Sequence, residues 1–94
     1  MRIGIKGFGF DPVEAFGAKE LNLNVEPPTL QALLQELAEK NRERGKFFNL
    51  QSDTFFGEYE IQVNNCPIFA LPQGLNTELN DGDEVAIIAA LGAG

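Results

Sequence analysis

The chain closes on seven consecutive apolar residues, Val85 to Leu91, followed by Gly92-Ala93-Gly94. The run includes β-branched residues, is shorter than a typical helix, and falls far below the roughly 18 apolar residues of a membrane span. Asp81-Gly82, just before it, supplies the positive φ that a tight turn needs. Together these signals predict a turn and then a buried central strand.

The residues after this strand form a small, side-chain-poor tail, which we place at 89–94. Ordering such a tail costs free energy and adds little packing, because glycine loses more backbone freedom on folding than any other residue. The tail is therefore expected to be flexible. It is either a frayed end or the functional part of the molecule.

Length and charge limit the classes of protein to consider. With 94 residues the chain is predicted to be a single domain, 1–94. Its net charge of -7 disfavours nucleic acid and anionic membranes as partners and favours a protein with a basic docking face. A single cysteine rules out an internal disulfide, and no signal peptide is recognisable at the start, so we expect a cytoplasmic protein.

Two strands are predicted in the first part of the chain. Met1, Ile3 and Ile5 alternate with polar residues and glycine, as in a strand with one buried face, and Gly7 is expected to end it. After a loop in which Asp11-Pro12 marks a turn or a short helix, Leu21 to Val25 alternates in the same way. Its polar outer face predicts a sheet that is covered on one side only.

One long amphipathic helix is predicted to cover that sheet. Thr29 is the expected N-cap, Gly45 the expected stop, and Glu36 and Lys40 are spaced to pair. The apolar positions follow the i, i+3, i+4, i+7, i+8 pattern of one helix face: Leu30, Leu33, Leu34, Leu37 and Ala38.

The second half is predicted to contain a hairpin before the last strand. Tyr59 to Val63 alternates, Asn64-Asn65 tolerates positive φ, and Ile68 to Leu71 is the expected returning strand, short and at an edge because Pro67 cannot donate to a ladder. The stretch Lys46 to Glu58 holds two Phe pairs. It is interpreted as a packed loop, with a docking patch as the alternative.

Few residues could carry chemistry. The chain has no histidine, which excludes nucleophilic catalysis with an imidazole and, with one cysteine, leaves no transition-metal ligand set. Gly7-Phe8-Gly9 favours a strand-ending turn over a nucleotide loop, because the third glycine is missing. Cys66 could be a sulfur relay or an attachment point, but no obvious cation lies near it in sequence. Any chemistry must use a carboxylate.

The order strand, strand, helix, strand, strand, strand is a β-grasp plan. The segments YEIQVNN, from Tyr59 to Asn65, and LNTELNDGDEVAII, from Leu75 to Ile88, resemble the MoaD/ThiS family of ubiquitin-like sulfur carrier proteins. Thr29 with its leucine helix and the near-glycine tail match as well, so the likeness covers nearly the whole chain. It implies an α+β, ubiquitin-like β-grasp fold with a mixed five-stranded sheet and one main helix on one face.

The resemblance also implies a function. In such families a separate adenylating, E1-like enzyme uses ATP to activate the terminal glycine, here Gly94, which then becomes a thiocarboxylate that donates sulfur to a pterin or thiazole precursor. The carrier binds no cofactor itself and is not an enzyme. Gly92 and Ala93 would thread the partner's channel, and Ala93 stands where the family has its penultimate glycine.

Docking is expected on the open face of the sheet, with Ala86, Ile88 and Leu91 as the suggested contacts. In the molybdopterin branch of the family the tail would also insert into the large subunit of molybdopterin synthase. Two other hypotheses remain open at this point: a β-grasp interaction module without conjugation chemistry, and a ubiquitin-like modifier attached through Gly94 to lysines of other proteins.

Overall fold

The computed structural model describes residues 1–43 and 59–89, and these form a five-stranded mixed sheet with one long helix packed on one face. The strands are β1 (Arg2–Phe8), β2 (Glu20–Asn22), β3 (Tyr59–Val63), β4 (Cys66–Pro67) and β5 (Glu84–Ala89). The helices are α1 (Pro12–Phe16) and α2 (Leu30–Glu43), with short 3-10 helices at Ile68–Ala70 and Gly74–Asn76.

The order of strands across the sheet is β2-β1-β5-β3-β4. The last strand, β5, lies in the centre, parallel to β1 on one side and antiparallel to β3 on the other. This arrangement confirms the predicted central strand and the predicted β-grasp plan. None of the helices in the described ranges is long and apolar enough to cross a membrane.

The core lies between α2 and the helix-side face of the sheet. Each of the five predicted apolar positions of α2 is buried, and the Thr29 Oγ1 accepts a hydrogen bond from the Ala32 N–H at 3.2 Å, as expected of an N-cap. The main residues packed against them, from the sheet, the loops and the end of α1, are Ile3, Ile5, Phe16, Leu21, Leu23, Ile61, Val63, Leu79, Val85 and Ile87.

One buried polar residue joins the two helices. Asn41 is 1% exposed and donates from Nδ2 to the backbone carbonyl of Ala15 at 3.1 Å. Asn41 lies four residues after Leu37, on the apolar stripe of α2. That position in the helical pattern was the sequence signal that could have predicted its burial. The predicted pair of Glu36 with Lys40 is wrong within the described residues, where α2 instead pairs Glu39 with Arg42 at 2.8 Å.

The first two strands differ from prediction in their ends. β1 continues through Gly7 to Phe8, and β2 stops at Asn22 rather than Val25. Gly7 is not a strand breaker. A Cβ at Gly7 would lie 2.8 Å from the carbonyl oxygen of Phe10 and 2.9 Å from the ring of Pro12, so glycine allows the chain to fold back closely on β1.

The hairpin turn is confirmed and the strand after it is not. Asn64 and Asn65 have φ of 50° and 70°, as the prediction required. The predicted strand Ile68 to Leu71 is wrong, because pairing with β3 stops at Pro67 and the chain then enters a 3-10 helix. A proline offers no N–H for further pairing, and a short apolar run has no periodicity that separates strand from helix.

Candidate functional site: the uncovered face at the end of the central strand

The central strand divides its side chains between two faces of the sheet. Val85 and Ile87 are fully buried under α2. Because successive side chains point to opposite faces, Ala86 and Ile88 lie on the face that α2 leaves uncovered. Two of the three predicted docking residues, Ala86 and Ile88, lie on the open face; Ala86 is buried at 8% exposure, and Ile88 is half-buried and therefore the more accessible of the two.

An apolar patch lies on this face where β5 ends. Residues paired across strands share a face, and Ile88 is paired with Phe8 on β1 and with Glu60 on β3. Phe8 is 52% exposed, a large value for a phenylalanine. We call Phe8, Ala86 and Ile88 the tail-side patch, since the chain leaves β5 immediately beyond it.

Phe8 was missed as a site residue because it was assigned to a turn. The signal was present: Arg2, Gly4 and Lys6 occupy the outward positions of β1, and continuing the alternation by one step places Phe8 on the same face. We predicted that β1 ends at Gly7, one residue too early, because a glycine usually marks a turn. Here Gly7 instead allows the following loop to pack closely against the strand.

Charged residues flank the patch on the same face. The Nζ of Lys6 lies 3.5 Å from the Oε2 of Glu84, and Arg2 lies 3.5 Å from Glu20 at the far side of the sheet. Both pairs are more than half exposed, so each contributes little to stability. Glu60, next to Ile88, is exposed and makes no ion pair with another described residue.

A network of hydrogen bonds fixes the start of β5. The carboxylate of Asp83 accepts from the Asn64 Nδ2 at 3.0 Å and from the Asn80 N–H at 2.7 Å, while the Asn64 Oδ1 accepts from the Glu84 N–H at 2.9 Å. Gly82 has φ of 89°, which explains the glycine of the turn. The turn thus joins β3 to β5 and fixes their register.

The same turn is tied to the beginning of β1. The Asp81 Oδ1 accepts from the Arg2 N–H at 2.6 Å, and the Gly4 N–H donates to the Asp83 carbonyl at 2.9 Å. The acidic sequence around Gly82 is therefore a structural clamp, as its interpretation as a turn implied. No group of three or more Cys, Asp or Glu suited to a metal ion occurs in the two described ranges.

The remaining predicted site residues lie outside the described residues. These are Leu91, Gly92, Ala93 and Gly94, and the same holds for Gly45 and the Phe-rich stretch Lys46 to Glu58. Ala89, where we began the tail, is the last residue of β5 and is paired with Tyr59. Cys66 is half-buried at the sheet edge, with its Sγ 3.9 Å from the Pro67 carbonyl oxygen.

Comparison with known proteins gives one family. The ThiS family model matches residues 11–94 of the chain. No curated protein matches it in sequence.

Several solved structures share the fold. Small archaeal modifier protein 1 (SAMP1) from Methanosarcina acetivorans is similar at a TM-score of 0.67 with 24% identity, over 99% of this chain and 96% of that one. SAMP1 from Haloferax volcanii gives 0.64 and 19% over both whole chains. CysO from Mycobacterium tuberculosis, an antigen, gives 0.54 and 20% over 95% of this chain and 99% of that one. At these identities the likeness establishes the ubiquitin-like β-grasp fold.

Proposed function

Because this chain belongs to the ThiS family, we propose that it is a sulfur carrier that presents the carboxylate of Gly94 to a separate adenylating enzyme. A carboxylate oxygen attacks the α-phosphorus of ATP on that enzyme, and pyrophosphate leaves. A hydrosulfide equivalent then attacks the carbonyl carbon of the acyl-adenylate, AMP leaves, and Gly94 carries a thiocarboxylate. ATP belongs to the partner, so the carrier needs no cofactor and is not itself an enzyme.

The observation that carries this proposal is the position of the tail-side patch at the carboxyl end of β5. The described strand ends at Ala89, five residues before Gly94. Fully extended, five residues span at most about 18 Å. A protein that binds Phe8 and Ile88 is therefore within reach of the group to be activated, and an α-carboxyl group is ionised at neutral pH and ready to attack.

The surroundings of the patch define the docking partner. Phe8 and Ile88 offer an apolar centre, with Leu91 as a further contact in the tail, while Glu60, paired across the strands with Ile88, adds negative charge beside them. We expect the adenylating enzyme to offer an apolar socket with basic residues at its rim. The net charge of -7 would speed the encounter with such a surface.

Ala93 is the residue of the tail that bears most on the rate of charging. If the enzyme binds the tail with positive φ at this position, alanine costs about 1–2 kcal/mol relative to glycine. An extended conformation carries little cost. Ala93→Gly therefore measures the bound conformation: faster charging indicates positive φ, and an unchanged rate indicates an extended tail.

The sulfur acceptor in this proposal is the precursor of molybdopterin. The tail would then be inserted into the large subunit of molybdopterin synthase, in the cytoplasm, with a thiazole precursor as the other acceptor that the family implies. The two can be separated by supplying charged carrier to each synthase and measuring which product forms.

A second candidate function is that of a ubiquitin-like modifier, in which Gly94 forms an isopeptide bond with lysines of other proteins. The observation that favours it is that two of the similar solved structures are of proteins named small archaeal modifier proteins. Both functions begin with adenylation of Gly94 and differ in the nucleophile that displaces AMP: sulfur in one, a lysine amine in the other.

Intact-mass spectrometry tests these functions. The protein is incubated with the adenylating enzyme of its own organism, ATP and sulfide, with a Gly94 deletion as control. Exchange of one oxygen for one sulfur at the last residue supports the carrier. Isopeptide adducts support the modifier, and retained binding with unchanged mass indicates an interaction module without conjugation chemistry, which would refute the carrier.

A further inference from the structure

A second surface lies away from the tail-side patch, at the edge of the sheet formed by β2. The Lys19 carbonyl accepts a hydrogen bond from the Ile5 N–H of β1 at 2.7 Å, and the Leu23 N–H donates to the carbonyl of Met1, just before β1, at 2.8 Å. By the alternation of a strand, the N–H and C=O groups of Glu20 and Asn22 point the other way. Those backbone groups find no hydrogen-bond partner within residues 1–43 and 59–89, and β2 has no neighbour there on its outer side.

A groove begins where β2 ends. Its volume is about 630 Å³, and it lies between the segment after β2 and one flank of α2. Val25, Pro27 and Ala32 give it apolar surface, and both Val25 and Ala32 are half-buried. The chain therefore runs from an unpaired strand edge, Glu20–Asn22, directly into the segment that forms one wall of the groove.

The groove carries negative charge without compensation from its own lining. Glu26, Glu36 and Glu39 line it, and no described lining residue is basic. Glu39 pairs with Arg42, but neither Glu26 nor Glu36 makes an ion pair with a described residue. A cation placed between them would meet two carboxylates beside apolar surface.

We propose that this side of the molecule binds an extended, arginine- or lysine-bearing segment of a partner protein. The backbone of the segment pairs with Glu20 and Asn22 of β2, and its cationic and apolar side chains enter the groove at Glu26, Glu36 and Ala32. Main-chain pairing supplies affinity in such strand addition, and the alternate side chains supply specificity.

The surface is separate from the proposed carrier chemistry. The groove lies on the α2 side, whereas the tail-side patch lies on the uncovered face of the sheet, so a partner at the groove leaves Phe8 and Ile88 free. One protein can thus bind the groove while a second protein binds the tail-side patch and modifies the tail. Neither the groove nor β2 includes Gly94, so this inference stands or fails independently of charging.

NMR titration of the isotope-labelled protein with the peptide acetyl-Val-Arg-Val-Arg-Val-amide tests the proposal. We expect shift changes in β2, residues 25–27 and the flank of α2, with slower amide exchange at Glu20 and Asn22. The same peptide with glutamate in place of arginine should bind at least about fivefold more weakly. Shift changes centred on the tail-side patch, or none at all, would overturn the proposal.

Two pairs of variants separate strand addition from general charge attraction. Asn22→Pro removes the outward N–H, and Asn22→Ala, which loses the same side chain but keeps that N–H, is its control; only the proline variant should lose about fivefold in affinity. Glu26→Gln with Glu36→Gln should weaken binding about three- to tenfold, and Glu60→Gln with Glu84→Gln should not. Equal losses within either pair contradict a specific site.

Discussion

Two neighbouring isoleucines of the central strand provide the sharpest test of the structure and of the proposed docking surface. Ile87 is fully buried beneath α2, while Ile88 is half-buried on the uncovered face beside Phe8. The same substitution, Ile to Ala, removes the same atoms one residue apart. We expect Ile87→Ala to lower stability and Ile88→Ala to lower affinity for the adenylating enzyme.

The sizes of the two effects follow from burial. Truncating a fully buried isoleucine to alanine lowers the free energy of unfolding by about 2–5 kcal/mol, because the loss of hydrophobic transfer free energy and the cost of the cavity add together. In a domain of 94 residues this lowers Tm by about 10 °C or more. Ile88→Ala should cost about 1 kcal/mol in the free protein, because its side chain already contacts water.

At the docking surface the ranking reverses. Losing the apolar area that Ile88 would bury against an enzyme weakens binding by about 1–2 kcal/mol, or about 5- to 30-fold in Kd. Ile87→Ala, measured well below its Tm, should leave Kd within about twofold, because Ile87 lies beneath the sheet. Each variant is thus the control for the other.

Urea unfolding followed by circular dichroism gives the stabilities, and isothermal titration calorimetry with the adenylating enzyme gives the affinities. A large stability loss in Ile88→Ala with a small one in Ile87→Ala would refute the assigned register, since a shift of one residue exchanges the two faces. Correct stabilities with equal affinities would refute docking at the tail-side patch while leaving the fold intact.

Three further changes test the packing that holds the site. Asn41→Ala should cost about 1–3 kcal/mol in urea unfolding, because the buried carbonyl of Ala15 loses a donor. Gly7→Ala should cost about 1–3 kcal/mol, because the added methyl meets Pro12 and a backbone carbonyl; a neutral result would show that the chain can move away. Asp83→Ala should cost about 1–2 kcal/mol and speed amide exchange at the start of the last strand, and unchanged exchange would contradict the clamp.

The sequence predicted those parts of the fold that depend on local pattern. The apolar stripe of α2 lies at its predicted positions because the apolar residues recur with the period of an α-helix, which places all of them on one face. Asn64-Asn65 was identifiable as a turn because few residues tolerate positive φ. The segment around Asp83 could be predicted as a turn. Its hydrogen bonds to Asn64 and Arg2 could not be predicted from local pattern, because they join residues that are far apart in the sequence.

The candidate site was predictable only in part for a related reason. An all-apolar strand has no alternation, so the sequence could not say which residues of 85–91 face outward. The answer comes from pairing: Ile5 is aligned with Val85, and the burial of Ile5 assigns the faces of the whole strand. Phe8 was missed because Gly7 was interpreted as the end of the strand. Glycine is needed there because the following loop packs closely against it, and that tertiary contact is not visible in the sequence.

The parallel pairing of β1 with β5 explains why the exposed phenylalanine lies at the end of the last described strand. Parallel strands end at the same edge of a sheet, so Phe8, at the end of the first strand, lies beside Ile88 although the two are 80 positions apart in the sequence. A partner that binds at this end of the two strands contacts β1 and β5 at the same time. In the proposed function, docking affinity and charging of Gly94 would both depend on this one register, and a change that shifts β5 along β1 should impair both together.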